Sequence, residues 1–169
     1  MEQNSACLSK IDAVLISHSH YDHLSVPAVR GLGNSVTWFV PLGLRDWFQS
    51  CGVEKSNVIE LDWGEQVVFR SARGSSCIVT CLPCRHWSRR TLTDYNRTLW
   101  ASWAVQGSRY SVFFGGDSGY HKEFSLIGNL MGPFDLALIG IGAYKPREMM
   151  HNSHTSQSDA VQAHIDLKA

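Results

Sequence analysis

The chain has 169 residues, of which 15 are basic Lys or Arg and 15 are acidic Asp or Glu, so its formal net charge is zero. This balance argues against general nucleic-acid binding, which depends on an excess of basic side chains. Hydrophobic residues form 44% of the chain, as in ordinary globular domains, and no stretch approaches the roughly 20 apolar residues that span a bilayer. We therefore expect a single domain over residues 1–169. Any membrane contact should be peripheral or lie in a missing N-terminal part.

Predicted strands and helices alternate along the chain, which indicates the α/β class. Strands are predicted from alternating or continuous apolar residues at 11–16, 35–40, 57–69 in two pieces, 77–82, 99–105, 110–114 and 134–142. Helices are predicted from amphipathic stretches at 25–32, 42–52, 122–132 and 156–167. Ser25 is the expected N-cap of the first helix, and Gly52 is the expected C-terminal end of the second.

The first predicted strand ends in a concentration of metal-binding side chains. The sequence IDAVLISHSHYDHL at 11–24 runs from apolar residues directly into His18, His20, Asp22 and His23. In an extended chain His18 and His20 point to the same face, and a turn after them can carry the next two ligands to a neighbouring position. Imidazole and carboxylate suit zinc or a similar divalent ion, and this many ligands indicate two adjacent metals. A solvated turn is the alternative, although a buried strand rarely ends in three imidazoles without compensation for their desolvation.

Two further candidate ligands also follow predicted strands. His86 follows the strand that begins at Cys77, and Asp117 follows the strand that ends at Phe114, after the two glycines of a tight turn. Because loops at strand ends can converge on one rim of a sheet, both side chains are expected to join the cluster. Either residue alone would carry little weight, since an aspartate after glycines is usually a turn residue.

The order and spacing of these candidates resemble the metallo-β-lactamase superfamily. The motif HSHYDH is followed by His86 and then by Asp117 within FFGGD. Three longer segments are similar to the N-acylphosphatidylethanolamine-hydrolysing phospholipase D family within that superfamily: HWSRRTLTDYNRTLWASWAV at 86–105, FFGGDSGY at 113–120 and GPFDLALIGIGAYKPREMM at 132–150. The resemblance covers nearly all of the chain after its first ten residues.

This resemblance implies the fold. It predicts a metallo-β-lactamase-like αββα sandwich, in which two mixed sheets lie between layers of helices. In the resembled family several strands precede the His-rich loop, and a final histidine ligand follows the last predicted helix. Only about ten residues precede Ile11, and no residue corresponds to that final histidine. We therefore expect a partial domain that is incomplete at both ends.

The resemblance also implies two Zn²⁺ ions in the complete protein. The first ion would be held by His18, His20, His86 and Asp117. The second would be held by Asp22, His23 and the shared Asp117, together with the final histidine that has no counterpart here. Asp117 would bridge the ions and Asp22 would orient the attacking hydroxide, so that both are candidate catalytic residues.

The implied activity is hydrolysis of a phosphodiester, cleaving N-acylphosphatidylethanolamine to an N-acylethanolamine and phosphatidic acid. Tyr21 and His154 are candidate substrate-binding residues, because the corresponding positions of the resembled family contact the lipid amide. The implied partners are a phospholipid substrate and a membrane surface, with a peripheral, intracellular location on endomembranes. A homodimer is left open.

Four arginines surround the candidate ligand His86: Arg85, Arg89, Arg90 and Arg97. Guanidinium groups recognise phosphate through paired hydrogen bonds. The cluster therefore indicates an anionic phosphodiester substrate or the head groups of a membrane surface. The alternative is an ordinary solvated surface.

Two other functions stay open. The chain could be another hydrolase of the same superfamily that acts on soluble phosphoesters or lactones. It could instead be a catalytically inactive fragment that binds metal or lipid, since one predicted ion lacks a ligand.

The cysteines indicate a reducing compartment. Their number, five, is odd, and no signal peptide is visible. Cys81 and Cys84 form a single CxxC pair without the second pair that a zinc ribbon requires, so we expect them to be free, buried thiols.

Overall fold

The structure, a computed structural model, describes residues 11–169; the first ten residues of the predicted domain lie outside the described residues. The strands are β1 (Ala13–Leu15), β2 (Thr37–Pro41), β3 (Val58–Leu61), β4 (Gln66–Arg70), β5 (Ser76–Leu82), β6 (Ser102–Gly107), β7 (Ser111–Phe114) and β8 (Leu136–Leu138). The helices are α1 (Val26–Leu32), α2 (Arg45–Ser50), α3 (Glu123–Met131), α4 (Arg147–Met150) and α5 (Gln157–Leu167). Two short 3-10 helices cover Gly33–Ser35 and Lys55–Asn57.

The strands form two sheets. The first contains β1, β2 and β3 in that order, and all three are parallel because α1 and α2 provide the crossover connections. The second sheet has the order β4–β5–β6–β7–β8. Its strands are antiparallel except for the last pair, β7 and β8, which are parallel.

The core is divided into three layers of packing. Along β2 the side chains alternate, so that Trp38 and Val40 pack under α1 and α2 while Phe39 points toward the second sheet. Between the sheets Phe39 meets Trp103 of β6. On the far side Phe113 of β7 packs against α3 and α5. This order of helix, sheet, sheet and helix confirms the predicted αββα sandwich.

The ends of the predicted helices follow local sequence signals. The Ser25 side chain accepts a hydrogen bond from the Ala28 amide, as expected for an N-cap, and Gly52 has a left-handed φ of 93° just after α2. Helix α4 was not predicted, because four residues are too few to show helical periodicity. Within residues 11–169 no helix combines the length and the apolar character needed to cross a membrane.

Helices α3 and α5 approach each other closely at Gly128. A Cβ atom at this position would lie 2.0 Å from the Asp166 carbonyl oxygen and 2.8 Å from the Leu167 Cα atom. Both neighbours are backbone atoms, which cannot rotate away. Only glycine therefore fits between these helices.

We expect Gly128→Ala to lower the free energy of unfolding by at least about 1–3 kcal/mol, the usual cost of overpacking. Gly31→Ala in α1 is the matched control, since a Cβ atom there meets nothing within 4 Å. The control should be neutral or stabilising by up to about 1 kcal/mol, because alanine favours helix more than glycine does. Urea denaturation measures both, and equal stability of the two variants would contradict this account of the packing.

Candidate metal centre

Three strand ends bring the candidate ligands to one edge of the sandwich. The segment from His18 to His23 follows β1, His86 follows β5, and Asp117 follows β7. Strands β5 and β7 run in the same direction, since each is antiparallel to β6 between them. Their carboxyl ends therefore lie at the same edge, where they meet the loop after β1.

His18, His20 and His86 form a cluster of nitrogen donors. Nε2 of His86 lies 3.3 Å from Nδ1 of His20, and the ring of His18 lies between 4.5 and 4.6 Å from both other rings. Nδ1 of His86 lies 3.0 Å from the Ser153 carbonyl oxygen, which can only accept. Nδ1 therefore carries the proton, and Nε2 turns its lone pair toward the cluster.

Asp117 lies at the centre of a second group. Its Oδ2 atom is 3.2 Å from Nε2 of His23, 3.9 Å from Nε2 of His86 and 3.9 Å from Nδ1 of His154. Asp22 lies at the outer edge, with Oδ2 3.5 Å from Nε2 of His23 and a largely exposed side chain. The carboxylate of Asp117 thus faces imidazoles from both halves of the chain.

Three overlapping sets of donor atoms are close enough to hold a cation. In each set the ligand atoms lie within 4.8 Å of one another. The sets are His18, His20 and His86; His18, His23 and Asp117; and His86, Asp117 and His154. All predicted ligands except Asp22 belong to at least one set. His154, which was predicted to contact substrate, lies within reach of the same donors.

Burial keeps most of these imidazoles neutral, which is the form that binds metal. Burial, assisted by the neighbouring imidazoles, lowers the pKa of His18 far below its ordinary value. Burial also lowers the pKa of His20, and it lowers the pKa of His86 to about 4. His23 differs, because its hydrogen bond to Asp117 raises the pKa of His23.

The contact with His23 also changes the pKa of Asp117. Burial alone would raise the pKa of Asp117, but the hydrogen bond from His23 and the nearby imidazoles lower it overall. Asp117 is therefore an anion at neutral pH, paired with a proton on His23. A divalent cation needs the neutral form of the imidazoles, so its binding here should weaken at low pH.

The donor set fits a divalent metal ion. Nε2 of His18 and Nε2 of His20 are buried and have no hydrogen-bond partner among the described residues. A buried polar atom without a partner is costly, and coordination satisfies a lone pair of a neutral imidazole. Several imidazoles beside a carboxylate suit zinc, iron and related first-row ions.

A glycine allows Asp117 to come this close. Gly116 has a left-handed φ of 59°, and a Cβ atom there would lie 2.6 Å from Cβ of Ser17. A larger residue would push the turn away from the segment that carries His18. The Ser17 hydroxyl in turn lies 2.9 Å from Nδ1 of His18 and orients that ring. Sequence analysis missed this role of Ser17, although its position next to His18 is a signal for it.

A cavity of about 240 Å³ opens beside the donors. Its lining includes Asp22, His23, Asp117 and His154. The two predicted substrate-binding residues differ in their surroundings. His154 borders this cavity, whereas Tyr21 does not line it and lies with 70% of its surface exposed at the rim.

Two of the four arginines, Arg85 and Arg90, contact other parts of the protein. Nη1 of Arg90 donates to the carbonyl oxygens of Ser19 and Leu24, and its guanidinium carbon lies 4.5 Å from the centre of the Tyr21 ring and 4.6 Å from that of the Trp47 ring. Arg85 donates to the Asn152 side chain and faces away toward Tyr120. The phosphate-binding interpretation of the four arginines stays a prediction. Sequence proximity to His86 does not show where a long side chain points.

Cys81 and Cys84 are free and buried, as predicted. Burial raises the pKa of both thiols well above the ordinary value. Neither belongs to a set of metal donors among residues 11–169. They are packing residues of the sandwich.

The lowered pKa of His86 makes the metal-free chain sensitive to acid. Between pH 6.5 and about 4 the unfolded chain binds a proton at His86 that the folded chain does not, so stability falls as the pH falls. We expect His86→Gln to reduce this pH dependence by about one proton. Urea denaturation in chelator at several pH values measures it, with His164→Gln on α5 as the control for the substitution itself. Identical curves for the wild type and His86→Gln would contradict the role of burial.

Comparison with known proteins agrees with this arrangement. The chain is 43% identical over 169 residues to N-acyl-phosphatidylethanolamine-hydrolyzing phospholipase D 1 of Caenorhabditis elegans, with 96% of this chain and 47% of that protein covered. It is 32% identical over 165 residues to the mitochondrial N-acyl-phosphatidylethanolamine-hydrolyzing phospholipase D of Saccharomyces cerevisiae, covering 95% of this chain and 35% of that protein. These matches confirm the predicted resemblance. The chain spans about half or less of the length of these relatives.

The fold has solved counterparts. The novel metallo hydrolase Igni18 from Ignicoccus hospitalis superposes with a TM-score of 0.69 at 21% identity, covering 93% of this chain and 60% of that one. At this identity the likeness shows a shared fold. The family model of the β-lactamase superfamily domain matches residues 1–169. The chain therefore belongs to the β-lactamase superfamily.

Proposed function

We propose that the chain carries the metal centre of a phosphodiester hydrolase that cleaves N-acylphosphatidylethanolamine to an N-acylethanolamine and phosphatidic acid. The observation that carries the proposal is the convergence of imidazoles from the ends of β1 and β5 on Asp117, which follows β7. The substrate follows from the names of the two relatives, which share sequence with nearly the whole of this chain.

We propose that these donors hold two adjacent ions. His18, His20 and His86 would hold one ion together with Asp117, and Asp22, His23 and Asp117 would hold the other. His154 is near enough to Asp117 to complete the second site or to meet the substrate beside it. We propose zinc on the basis of the resemblance.

When bound at such a site, a divalent ion would lower the pKa of its bound water toward about 7 and neutralise charge on a phosphoryl oxygen. The chain's own residues supply the rest. Asp22 is exposed at the edge of the cluster and is available as a proton acceptor. Asp117 stays anionic at neutral pH and faces both groups of imidazoles. His154 borders the cavity and can donate to a substrate oxygen.

The rim of the centre suits an amphiphilic substrate. Tyr21 is 70% exposed, and the loop after His86 carries Leu92 and Tyr95, which are 88% and 60% exposed. Trp87 links this loop to the metal cluster, because its ring lies 4.3 Å from the His20 ring and 5.6 Å from the Tyr95 ring. Apolar side chains at the mouth of a polar site favour acyl chains, or a membrane surface that presents them.

The cavity is small in comparison with the substrate. About 240 Å³ is less than the usual 300–1,000 Å³ of a pocket that encloses a drug-sized ligand. It accommodates a head group and not two or three acyl chains. We propose that the phosphodiester enters the cavity while the acyl chains stay outside, against the exposed rim and a peripheral, intracellular membrane surface.

The small volume of the cavity also supports a second candidate function. A cavity of this size also fits a small soluble phosphodiester or a lactone. Other members of the superfamily act on such compounds, so this alternative needs a direct comparison of substrates.

The metal assignment predicts that purified wild-type protein carries a divalent ion. His18→Ala combined with His20→Ala should remove most of it, because these residues supply two of the donors of the first site. Elemental analysis of the folded variants is the measurement. Cys81→Ser combined with Cys84→Ser is the control and should retain the metal. Loss of metal in the cysteine variant and retention in the histidine variant would contradict the assignment.

The activity predicts that the zinc-loaded chain releases N-acylethanolamine from N-acylphosphatidylethanolamine in detergent micelles. Asp117→Asn should reduce the rate by at least about 10–100-fold, the usual effect of disturbing a metal ligand. Parallel assays with a soluble phosphodiester and a lactone supply the comparison. Turnover of the soluble compounds without release of N-acylethanolamine would support the alternative function, and turnover of none would leave a binding role.

A further inference from the structure

Arg90 connects the two halves of the molecule beside the metal donors. Its guanidinium carbon lies 4.5 Å from the centre of the Tyr21 ring and 4.6 Å from the centre of the Trp47 ring. Tyr21 belongs to the segment after β1, and Trp47 belongs to α2. Arg90 itself belongs to the loop between β5 and β6, so a side chain from the second sheet is held between two elements of the first.

The same guanidinium spans the segment that carries the ligands. Its Nη1 atom donates to the Ser19 carbonyl oxygen at 2.9 Å and to the Leu24 carbonyl oxygen at 2.8 Å. These two carbonyls bracket the ligands His20, Asp22 and His23. In return the Tyr21 hydroxyl donates to the Arg90 carbonyl oxygen at 2.6 Å. The ligand segment is thus attached at its beginning, its middle and its end.

The backbone that carries Arg90 is fixed as well. Oδ1 of Asp94 accepts hydrogen bonds from the amides of Arg90 and Thr91, at 2.9 and 2.7 Å. The Ser88 amide donates to the Asn96 side chain, and the buried Ser88 hydroxyl donates to the Thr98 carbonyl oxygen. The loop is therefore closed on itself, and Arg90 projects from a stable base.

The contacts of Arg90 matter because the candidate ligands come from both halves of the chain. His18, His20 and His23 come from the first half of the chain, and His86 and Asp117 come from the second. A metal ion requires the donors of both halves at a fixed separation. Arg90 is only four residues from His86 and reaches across to the segment that carries His20 and His23.

We infer that Arg90 is a positioning residue that holds the segment from Ser19 to Leu24 in register with His86 and Asp117, and so sets the affinity of the centre for metal. The inference rests on the proposed metal site. Lysine cannot replace arginine here, because a compact ammonium lacks the planar face that lies between two rings. Neither the charge nor a single hydrogen bond is sufficient for this role.

The test compares Arg90→Gln, Arg90→Lys and Arg89→Gln in the full 169-residue chain. Arg89 is the matched control, because its Nε atom donates only within its own loop, to the Thr91 carbonyl oxygen. Cobalt affinity is measured by competition with a chromophoric chelator, and the visible absorption of bound cobalt reports the geometry of its ligands. We expect Arg90→Gln to weaken binding at least about 10-fold and to shift the absorption bands. Arg90→Lys should weaken it less, and Arg89→Gln should match the wild type.

A second readout does not depend on metal. The amides of His23 and Leu24 both donate to the His20 carbonyl oxygen, so their hydrogen exchange reports the order of the ligand segment. Without metal, exchange at these two amides should be faster in Arg90→Gln than in Arg89→Gln, while amides of β5 and β6 stay unchanged. If Arg90→Gln does not fold, Arg90→Lys carries both measurements.

The outcomes separate this inference from the proposed function. Equal cobalt affinity and equal exchange in the Arg90 and Arg89 variants would overturn the inference. A lower melting temperature of Arg90→Gln with unchanged cobalt affinity and spectrum would reduce Arg90 to a general stabilising residue and would also overturn it. A wild-type chain that binds no cobalt would contradict the metal site, and the exchange of the two amides would then decide the role of Arg90.

Discussion

The structure depends on the burial of imidazole rings around one carboxylate where the two sheets meet. Removing several polar rings from water is unfavourable unless each finds a partner. The surroundings supply partners on one side of the rings, through the Ser17 hydroxyl and the Ser153 carbonyl oxygen. The other side turns toward Asp117 and the shared space between the donors. A divalent cation is the group that satisfies this remaining side.

In the αββα sandwich, the directions of the strands bring these polar side chains together. The parallel first sheet and the like-directed strands β5 and β7 end at one edge, so loops distant in sequence deliver ligands to a common point. The layers beneath are tightly packed, with Trp38, Phe39 and Trp103 buried. A rigid base of this kind holds donors at a constant separation, which loops alone do not achieve. Arg90 supplements the base where the ligand segment leaves the sheet.

Local signals predicted much of the fold. The N-cap at Ser25 and the continuous apolar run of β2 are signals of a few residues, and the structure has both where the sequence indicates them. Helix α4 escaped prediction because it is a single turn. The directions of the arginine side chains could not be predicted from the sequence for another reason. A long flexible side chain takes the direction that its distant neighbours allow, and Tyr21 and Trp47 are far from Arg90 in sequence.

The sequence by itself determined the class of the fold and the type of ligands, because strand periodicity and the donor chemistry of His and Asp are properties of short segments. It also indicated that His86 and Asp117 join the cluster, through their repeated position after strands. Only the tertiary structure decided which donors share a site, the closeness of His154 to Asp117, and the commitment of Arg90 to the ligand segment. These depend on distances between residues remote in sequence, which are set by the packing of the two sheets.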